Sequence, residues 1–158
     1  MYNKLHDYLN KYDILCHNKY GYRENHSTYM ALLNMSDDIS NELNNNNHSI
    51  GVFIDISIAF DTIDQSLVLK QLEHYGIRGT SPYWFISYLT NIFQYVSIGG
   101  NNSSYLQIKR GMHQGSILVS LLFFVYINDI INCSKAAIFI VFADDTNIFF
   151  KHKIKNTI

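Results

Sequence analysis

Two adjacent aspartates interrupt the apolar segment "AAIFIVFADDTNIFF" in the last quarter of this chain. A charge buried without a partner costs several kcal/mol, so Asp144 and Asp145 constrain how the segment folds. Successive strand residues point to opposite faces, and only a turn would let both carboxylates share one region of space. The segment therefore predicts a hairpin with a tight turn at the aspartates. Aspartate is also a good turn residue, so the pair alone is compatible with an ordinary acidic turn.

The composition is that of one globular domain. Apolar residues make up 47% and charged residues 16% of the 158 positions, which suits a hydrophobic core and not a disordered chain. The formal net charge of −1 neither supports nor excludes nucleic acid as a partner, because nucleic-acid binders usually present a strongly basic face. Cys16 and Cys133 lack metal-ligand spacing and are predicted to be two buried free thiols.

The longest apolar segment, "SILVSLLFFVYINDII", predicts a buried helix over residues 117–131. Asn128 and Asp129 interrupt it before it reaches the roughly 18 apolar residues that a membrane span needs. The N-terminus, "MYNKLHDYLNKYDIL", lacks the apolar core of a signal peptide. We therefore expect no membrane partner, and a small membrane-associated protein built on this helix is kept as a rival hypothesis.

Periodicity along the rest of the chain predicts further helices and short strands. Helices are expected over residues 2–15 and 28–39, the latter capped by Ser27, and after the N-cap residues Asp64 and Ser81. "IGVFIDI" predicts a strand, and "FQYVSI" and "YLQIKR", joined by "GGNNSS", predict a hairpin over 93–109. The asparagine-rich "NELNNNNHS" is expected to be a solvated loop.

A third carboxylate repeats the arrangement of the first two. In "FIDISIAFD" an apolar strand ends at Asp55 and a bend follows. If the two strand ends meet at one rim of a sheet, Asp55, Asp144 and Asp145 would repel one another unless cations bind between them. Oxygen-only ligand sets suit Mg²⁺, and two such ions can stabilise the attacking and leaving oxygens of a phosphoryl displacement. The pattern therefore indicates a metal-assisted nucleotidyl or phosphoryl transferase.

Three ordered segments carry a family resemblance. "VFIDISIAFDTID", "GMHQGSILVSLLFFVYINDI" and "FADDT" resemble motifs A, B and C of the reverse transcriptase palm of non-LTR (LINE-type, jockey-like) retrotransposons. "YGYRENHSTYMALL" is similar to the segment ahead of motif A. The resemblance implies an α+β fold, the palm of a right-hand polymerase, with a small, mostly antiparallel sheet and helices packed on one face. It also implies RNA-templated DNA synthesis.

The resemblance assigns roles to individual residues. Asp55, Asp144 and Asp145 match the catalytic, metal-binding carboxylates, and the carbonyl of Ile56 would contribute a further metal ligand. The cofactor would be two Mg²⁺ ions, with Mn²⁺ as a substitute. The positions matched to nucleotide contacts are Ile56, Phe60, Gln114 and Gly115.

Phe60 would crowd the sugar 2′ position and favour deoxynucleotides, and the motif B turn would lie against the incoming nucleotide and template base. As alternatives, Phe60 is a core aromatic and the turn is an ordinary loop. Asp61 and the pair Asn128–Asp129 are expected to be structural, and Arg23 structural or in contact with the template.

Some positions depart from the family pattern. His113 stands where motif B normally has proline, Val119 and Ser120 replace a Gly-Pro pair, and Ile58 replaces a common lysine. Losing the Gly-Pro pair should let the motif B helix begin earlier. All three carboxylates are present.

The resemblance implies a partial reverse transcriptase domain over 1–158. Residues 1–48 would be a helical finger and palm lead-in and 49–150 the palm, with the remaining finger, thumb and endonuclease regions absent. The expected partners are an RNA template, a DNA primer and deoxynucleoside triphosphates, and family members work in the cytoplasm and nucleus. The alternative is a degenerate, inactive retroelement relic that acts at most as a structural or interaction module.

Overall fold

A computed structural model of the protein describes residues 1–16, 18–21, 23, 25–56, 58–113 and 115–153. The chain divides into two compact units. The helical unit comprises residues 1–2 and 58–126, and the sheet unit comprises the described residues of 3–57 and 127–158. Helices and small antiparallel sheets together agree with the predicted α+β class. The predicted boundary between a lead-in and a palm at residues 48 and 49 stays a prediction.

Helices and strands are interspersed along the described part of the chain. They are α1 (Tyr2–Lys11), α2 (Thr28–Asn44), β1 (Asn47–Ile54), α3 (Ala59–Thr62), α4 (Gln65–His74), α5 (Ser81–Leu89), β2 (Phe93–Gln94), β3 (Ser97–Ile98), β4 (Asn101–Asn102), β5 (Leu106–Gln107), α6 (Ile117–Tyr126), a 3₁₀ helix (Asn128–Cys133), β6 (Ala137–Phe142) and β7 (Asp145–Lys153).

The sheet unit is organised by a three-stranded antiparallel sheet in the order β1–β7–β6. Alternation along β6 places Ile138, Ile140 and Phe142 on one face, which packs against α2. Ile140 and Phe149 join Ala31 of α2 in a buried apolar cluster. The prediction that a helix covers one face of a small antiparallel sheet is therefore confirmed for α2.

The helical unit has α6 as its most buried element. Seven of its ten residues are buried, from Leu118 to Val125, and α4 packs against both α5 and α6. Asp64 caps α4, because its carboxylate accepts hydrogen bonds from the backbone N–H groups of Ser66 and Leu67. A hydrogen bond from the Ser66 hydroxyl, together with these backbone bonds, lowers the pKa of Asp64. The predicted N-cap at Asp64 is confirmed, as is the one at Ser27.

The predicted hairpin over 93–109 is also confirmed. Two short ladders, β2 with β5 and β3 with β4, form its stem, and the backbone of Ile108 donates to the carbonyl of Ile92 at the base. Gly99 and Gly100 make the turn with φ values of 55° and 83°. Two successive positive φ values favour glycine and match the twist of paired strands.

Two predicted boundaries on the sheet unit were wrong. α1 ends at Lys11 instead of residue 15, because Asp13 is left-handed and Ile14 donates back to the carbonyl of Leu9, which closes the helix. The expected asparagine-rich loop shrinks to Asn45–Asn46, since α2 continues to Asn44 and β1 already begins at Asn47.

A side-chain cluster holds the start of β1 in the sheet. The carboxylate of Glu42 accepts a hydrogen bond from the Asn47 amide at 2.8 Å and pairs with Lys151 of β7 at 2.6 Å. These contacts lower the pKa of Glu42. They connect the end of α2 to both strands, which is why residues that look like a polar loop form a strand.

Three further predictions need correction. The helix predicted over 117–131 is divided into α6 and the 3₁₀ helix, and Thr80, not Ser81, occupies the N-cap position of α5. Cys16 is half-buried and Cys133 is exposed at the end of the 3₁₀ helix, so the expectation of two buried thiols was wrong. Within the described ranges, no helix has both the length and the apolar character needed to cross a bilayer.

Candidate active site

Asp144 and Asp145 lie at a two-residue hairpin turn, as predicted. Phe142 pairs with Asp145 in the ladder between β6 and β7, which leaves Ala143 and Asp144 as the turn residues. Ala143 has a φ of 56°, a left-handed conformation that glycine usually supplies at this position. Asp144 is half-buried and Asp145 is exposed. Asp144 in the turn and Asp145 at the first position of β7 thus lie at the same end of the sheet.

Asp55 reaches the same end of the sheet from β1. Ile54, the last residue of β1, pairs with Thr146 of β7. Continuing this antiparallel register by one residue puts Asp55 opposite Asp145. Asp55 is exposed, and Ile56, whose carbonyl was expected to bind metal, follows it and is half-buried. β1 therefore pairs with β7, the second strand of the hairpin whose turn contains Asp144.

The carboxylates share a sheet edge without forming a closed ligand cluster. Among the residues that the structure describes, no three His, Cys, Asp or Glu side chains are grouped closely enough to hold a metal ion. The donor set at this edge consists of carboxylate and carbonyl oxygens, which fits a hard cation such as Mg²⁺ or Mn²⁺. The assignment of Asp55, Ile56, Asp144 and Asp145 as metal ligands stays a prediction.

A short segment before α2 supports the aspartate turn and was missed in the sequence. Lys19 forms a parallel bridge with Val141, whose N–H donates to Asn18 and whose carbonyl accepts from Tyr20. Residues 18–20 therefore extend the sheet beyond β6. Gly21 then lies so close to the turn that an added Cβ would meet the backbone nitrogen of Ala143 at 2.3 Å.

Lys19 is itself an unexpected core residue. Its side chain is 1% exposed, although lysine is almost never fully buried. The pKa of Lys19 is lowered to about 7, mainly by burial; Cys16 and Asp129 act in the opposite direction, and Arg23 adds to the lowering. Nothing in the local pattern "NKYGYR" distinguishes this lysine from a surface residue, because the burial arises from distant elements.

Asn128 and Arg23 have structural contacts in the same unit. The side chain of Asn128 accepts a hydrogen bond from Cys16 N–H and donates to the carbonyl of Ile14, which confirms its expected structural role. Arg23 donates to the carbonyl of Cys16 at 2.9 Å. Both contacts position the segment that precedes α2.

Asp145 also lines a cavity between α2 and the sheet. The cavity has a volume of about 240 Å³ and is bordered by Thr28, Met35, Ile140 and Asn147. Its walls are mainly apolar, and the Asp145 carboxylate is its one acidic group. A carboxylate at the mouth of an apolar cavity can bind a cation while the walls contact an apolar group.

Of the predicted nucleotide contacts, Phe60 and Gly115 lie in the helical unit, whereas Ile56 belongs to the sheet unit. Phe60 is half-buried and its ring packs 4.8 Å from that of Phe123, which supports its alternative role as a core aromatic. Gly115 has a φ of 96°, with open space on the side where a Cβ would lie. Gln114 lies outside the described residues, and its assignment stays a prediction.

The departures from the family pattern are accommodated locally. The ring of His113 lies against Tyr88, whose hydroxyl is 3.0 Å from His113 Nε2 and donates to Ser116 at 2.7 Å. α6 begins at Ile117, ahead of Val119 and Ser120. Ile58 is exposed and left-handed, an uncommon conformation for a β-branched residue.

One buried hydroxyl beside the site lacks a hydrogen-bond partner in the described structure. Thr146 is 1% exposed, and its Oγ1 has no acceptor or donor within reach. We expect Thr146→Val to raise the free energy of unfolding by about 1 kcal/mol, because it removes an unsatisfied polar atom at nearly constant shape. Urea denaturation would measure the change, and a loss of stability would show that the hydroxyl is bonded.

Comparisons with known proteins identify the class to which this fold and site belong. The sequence matches the family described as reverse transcriptase (RNA-dependent DNA polymerase) over residues 1–157. The chain therefore belongs to the reverse transcriptase family. The resemblance first seen in the three motifs is confirmed over nearly the whole chain.

Relatives from non-LTR retrotransposons narrow this assignment. The probable RNA-directed DNA polymerase from transposon BS of Drosophila melanogaster is 25% identical over 98% of this chain and 18% of its own length. The RNA-directed DNA polymerase from mobile element jockey of the same species is 26% identical over 85% of this chain and 15% of its own length. A Pol polyprotein of element R2 from Popillia japonica is 26% identical over 51% of this chain. The chain spans less than a fifth of each relative.

Proposed function

We propose that this chain carries the catalytic carboxylates of an RNA-directed DNA polymerase of the non-LTR retrotransposon type. The observation that supports this proposal most directly is the β1–β7 register, which brings Asp55 to the edge where the hairpin turn presents Asp144 and Asp145. The reaction would be attack of a primer 3′-hydroxyl on the α-phosphate of a deoxynucleoside triphosphate, with pyrophosphate as the leaving group.

The aspartates would hold the metal ions and position them. Two Mg²⁺ ions, when bound, would stabilise negative charge on the attacking and leaving oxygens. Asp55 and Asp144 would each supply carboxylate oxygens from different strands, with Asp145 and the Ile56 carbonyl beside them. The β1–β7 pairing ends one residue before Asp55 and beside Asp145, so it holds the ends of the two strands that carry these donors next to each other.

The nucleotide would be selected by residues of motifs A and B. The partly exposed ring of Phe60 is fixed on one side by Phe123, so its free edge could exclude a sugar 2′-hydroxyl. Gly115 leaves its Cβ side open, which allows a ligand to approach the backbone closely. Gln114 would contact the nucleotide or template base.

The partners would be an RNA template, a DNA primer and deoxynucleoside triphosphates. Residues 49–150 would act as the palm of the polymerase. Positioning of substrates supplies much of the rate in phosphoryl transfer. We therefore expect weak synthesis from the 158-residue chain alone.

A second candidate is an inactive relic of such an element. The finding that favours it is the lack of a three-ligand metal cluster among the described side chains. A relic would keep the sheet and its packing, because these depend on apolar residues, and would lose metal binding at the aspartates. Metal binding at the aspartates therefore distinguishes the enzyme from the relic.

Metal binding provides the deciding experiment. We expect the chain to bind Mn²⁺ weakly in calorimetric titrations, and we expect Asp55→Asn and Asp144→Asn each to weaken binding about tenfold or more, since even outer-shell ligand changes cost this much. Asp37→Asn is the matched control, because Asp37 is exposed on α2 of the same unit. Binding that survives in the double variant Asp55→Asn/Asp144→Asn would rule out the proposed site.

Primer extension then separates the enzyme from the relic. Extension of a DNA primer on an RNA template with Mg²⁺ should give faint product that disappears in Asp144→Asn and remains in Asp37→Asn. Metal binding without any template-dependent product, even at high enzyme concentration, would favour the relic.

A further inference from the structure

The hairpin formed by residues 92–109, called the aromatic hairpin below, exposes an unusual amount of apolar surface. Six of its large side chains are between 47% and 75% exposed, namely Phe93, Tyr95, Val96, Ile98, Tyr105 and Leu106. Monomeric proteins rarely leave a contiguous apolar patch of this kind uncovered, and such patches usually mark interaction sites.

The aromatic rings in the stem are held in place by the backbone. The rings of Tyr95 and Tyr105 lie 4.9 Å apart with an angle of 53° between their planes. Gln94 pairs with Leu106 in the β2–β5 ladder. Tyr95 directly follows Gln94, and Tyr105 directly precedes Leu106. Above them, Val96 donates its N–H to the hydroxyl of Ser103 at 2.9 Å. The two rings are therefore presented to solvent on a braced stem.

The charged residues in this part of the chain are all basic. No Asp or Glu occurs between Glu73 and Asp129, although the chain contains 13 acidic residues. The cations in this interval are Arg78, Lys109 and Arg110. Lys109 and Arg110 are exposed and follow the last strand of the aromatic hairpin after Ile108. Arg110 interacts with Asp64 and contributes to the lowered pKa of that carboxyl. Exposed rings next to Lys109, in a segment without acidic residues of its own, complement a polyanion.

The remaining side chains are neutral hydrogen-bonding groups. Gln94, Asn101, Asn102, Ser104 and Gln107 are all exposed on the same hairpin. Amides and hydroxyls can contact base edges and phosphates, while the rings can stack on bases. A protein partner would be recognised by the apolar side chains alone and would not require the acid-free segment.

We propose that the aromatic hairpin binds single-stranded nucleic acid, with bases stacking on Tyr95 and Tyr105 and phosphates contacting Lys109. The proposal deepens the proposed function and rests on it for the identity of the ligand, since a templated polymerase handles an unpaired strand. It assigns a strand-binding surface outside the aspartate edge. Stacking tolerates any base sequence, so this surface would bind without sequence preference.

A binding experiment with the intact chain tests the proposal. A fluorescein-labelled 15-nucleotide oligouridylate, titrated in EDTA and followed by fluorescence anisotropy, should bind with an affinity that falls as salt rises. Tyr95→Ala and Tyr105→Ala should each weaken binding roughly 5- to 100-fold, the range expected for loss of one stacked base. The plot of log affinity against log salt concentration has a negative slope, and Lys109→Gln should make this slope shallower by about 0.7.

Matched variants separate stacking from apolar contact and from misfolding. Tyr95→Phe keeps the ring and should bind as the unmodified chain does, whereas Tyr95→Leu keeps apolar bulk and should bind as poorly as the alanine variant. Tyr29→Ala is the control, because Tyr29 is 68% exposed on α2. Circular dichroism should show the same folded spectrum for all variants, since the two tyrosines of the hairpin are exposed.

Several outcomes would overturn the proposal. These are no binding of the oligonucleotide, full binding by Tyr95→Leu, and self-association in sedimentation runs that Tyr95→Ala and Tyr105→Ala abolish. Because EDTA removes divalent cations, metal binding at the aspartates does not contribute to the measured affinity. If the tyrosines matter for binding but Asp55 and Asp144 do not matter for metal, the proposed catalytic function fails while the strand-binding surface stands.

Discussion

Replacing Gly21 with alanine is expected to lower the free energy of unfolding by about 2 to 3 kcal/mol and to weaken metal binding at the aspartate edge. The added Cβ would lie 2.3 Å from the backbone nitrogen of Ala143 and 3.0 Å from its Cα. Backbone atoms within a paired hairpin cannot move aside as a flexible side chain can, and overpacking of this kind costs 1 to 3 kcal/mol or somewhat more. The affected residue is the first of the turn that carries Asp144.

Gly51→Ala is the matched control for this prediction. Neither glycine has a left-handed backbone, so no conformational strain distinguishes them. A Cβ at Gly51 would meet the edge of the Phe149 ring at 2.8 Å, a side chain that can shift. Far-UV circular dichroism in urea, with hydrogen exchange of the β6 and β7 amides, would measure both variants. Equal losses of stability would contradict the view that the turn packs tightly on Gly21.

Lys19→Met is expected to stabilise the protein at neutral pH by roughly 4 to 5 kcal/mol. In the unfolded chain the lysine has its ordinary pKa of 10.5, whereas burial lowers the pKa of Lys19 to about 7 in the folded state. Each pH unit between these values corresponds to about 1.4 kcal/mol of stability. Methionine keeps the unbranched shape and carries no charge that must be desolvated.

The sign of the pH dependence follows from proton uptake. Between pH 7 and 10.5 the unfolded state binds the Lys19 proton more tightly, so stability rises with pH across this window. Below pH 7 both states are protonated and the full cost remains. The free-energy difference between Lys19→Met and the unmodified chain should therefore shrink from pH 7 to pH 9.5.

Chemical denaturation at several pH values would measure this trend. Lys4→Met is the control, because Lys4 is exposed on α1, and its effect should be small and independent of pH. A difference between Lys19→Met and the unmodified chain that stays constant with pH would show that Lys19 keeps an ordinary pKa. A destabilised variant would show that contacts of the ammonium group outweigh its desolvation.

Local sequence signals were reliable where one element decides its own structure. Asp64 and Ser27 cap helices because their side chains reach backbone N–H groups two or three residues away. The Gly99–Gly100 turn follows from residue preferences over two positions, whereas the turn at Asp144 puts Ala143 in a left-handed conformation that alanine disfavours. Where boundaries moved, at Lys11 and Asn47, the cause was a backbone conformation or a distant side chain such as Glu42, which local periodicity does not contain.

The sequence by itself determined the family, the order of the three motifs and the acidic residues available for chemistry. It also predicted that the carboxylates end apolar strands, because charge cannot remain inside an apolar run without compensation. Only the tertiary structure decided which strands pair, and hence that β1, which ends just before Asp55, runs beside β7, which begins at Asp145. It also placed Gly21 against the aspartate turn and buried Lys19, since both contacts join residues more than 100 positions apart. Such contacts depend on the packing of the whole unit, which no local pattern records.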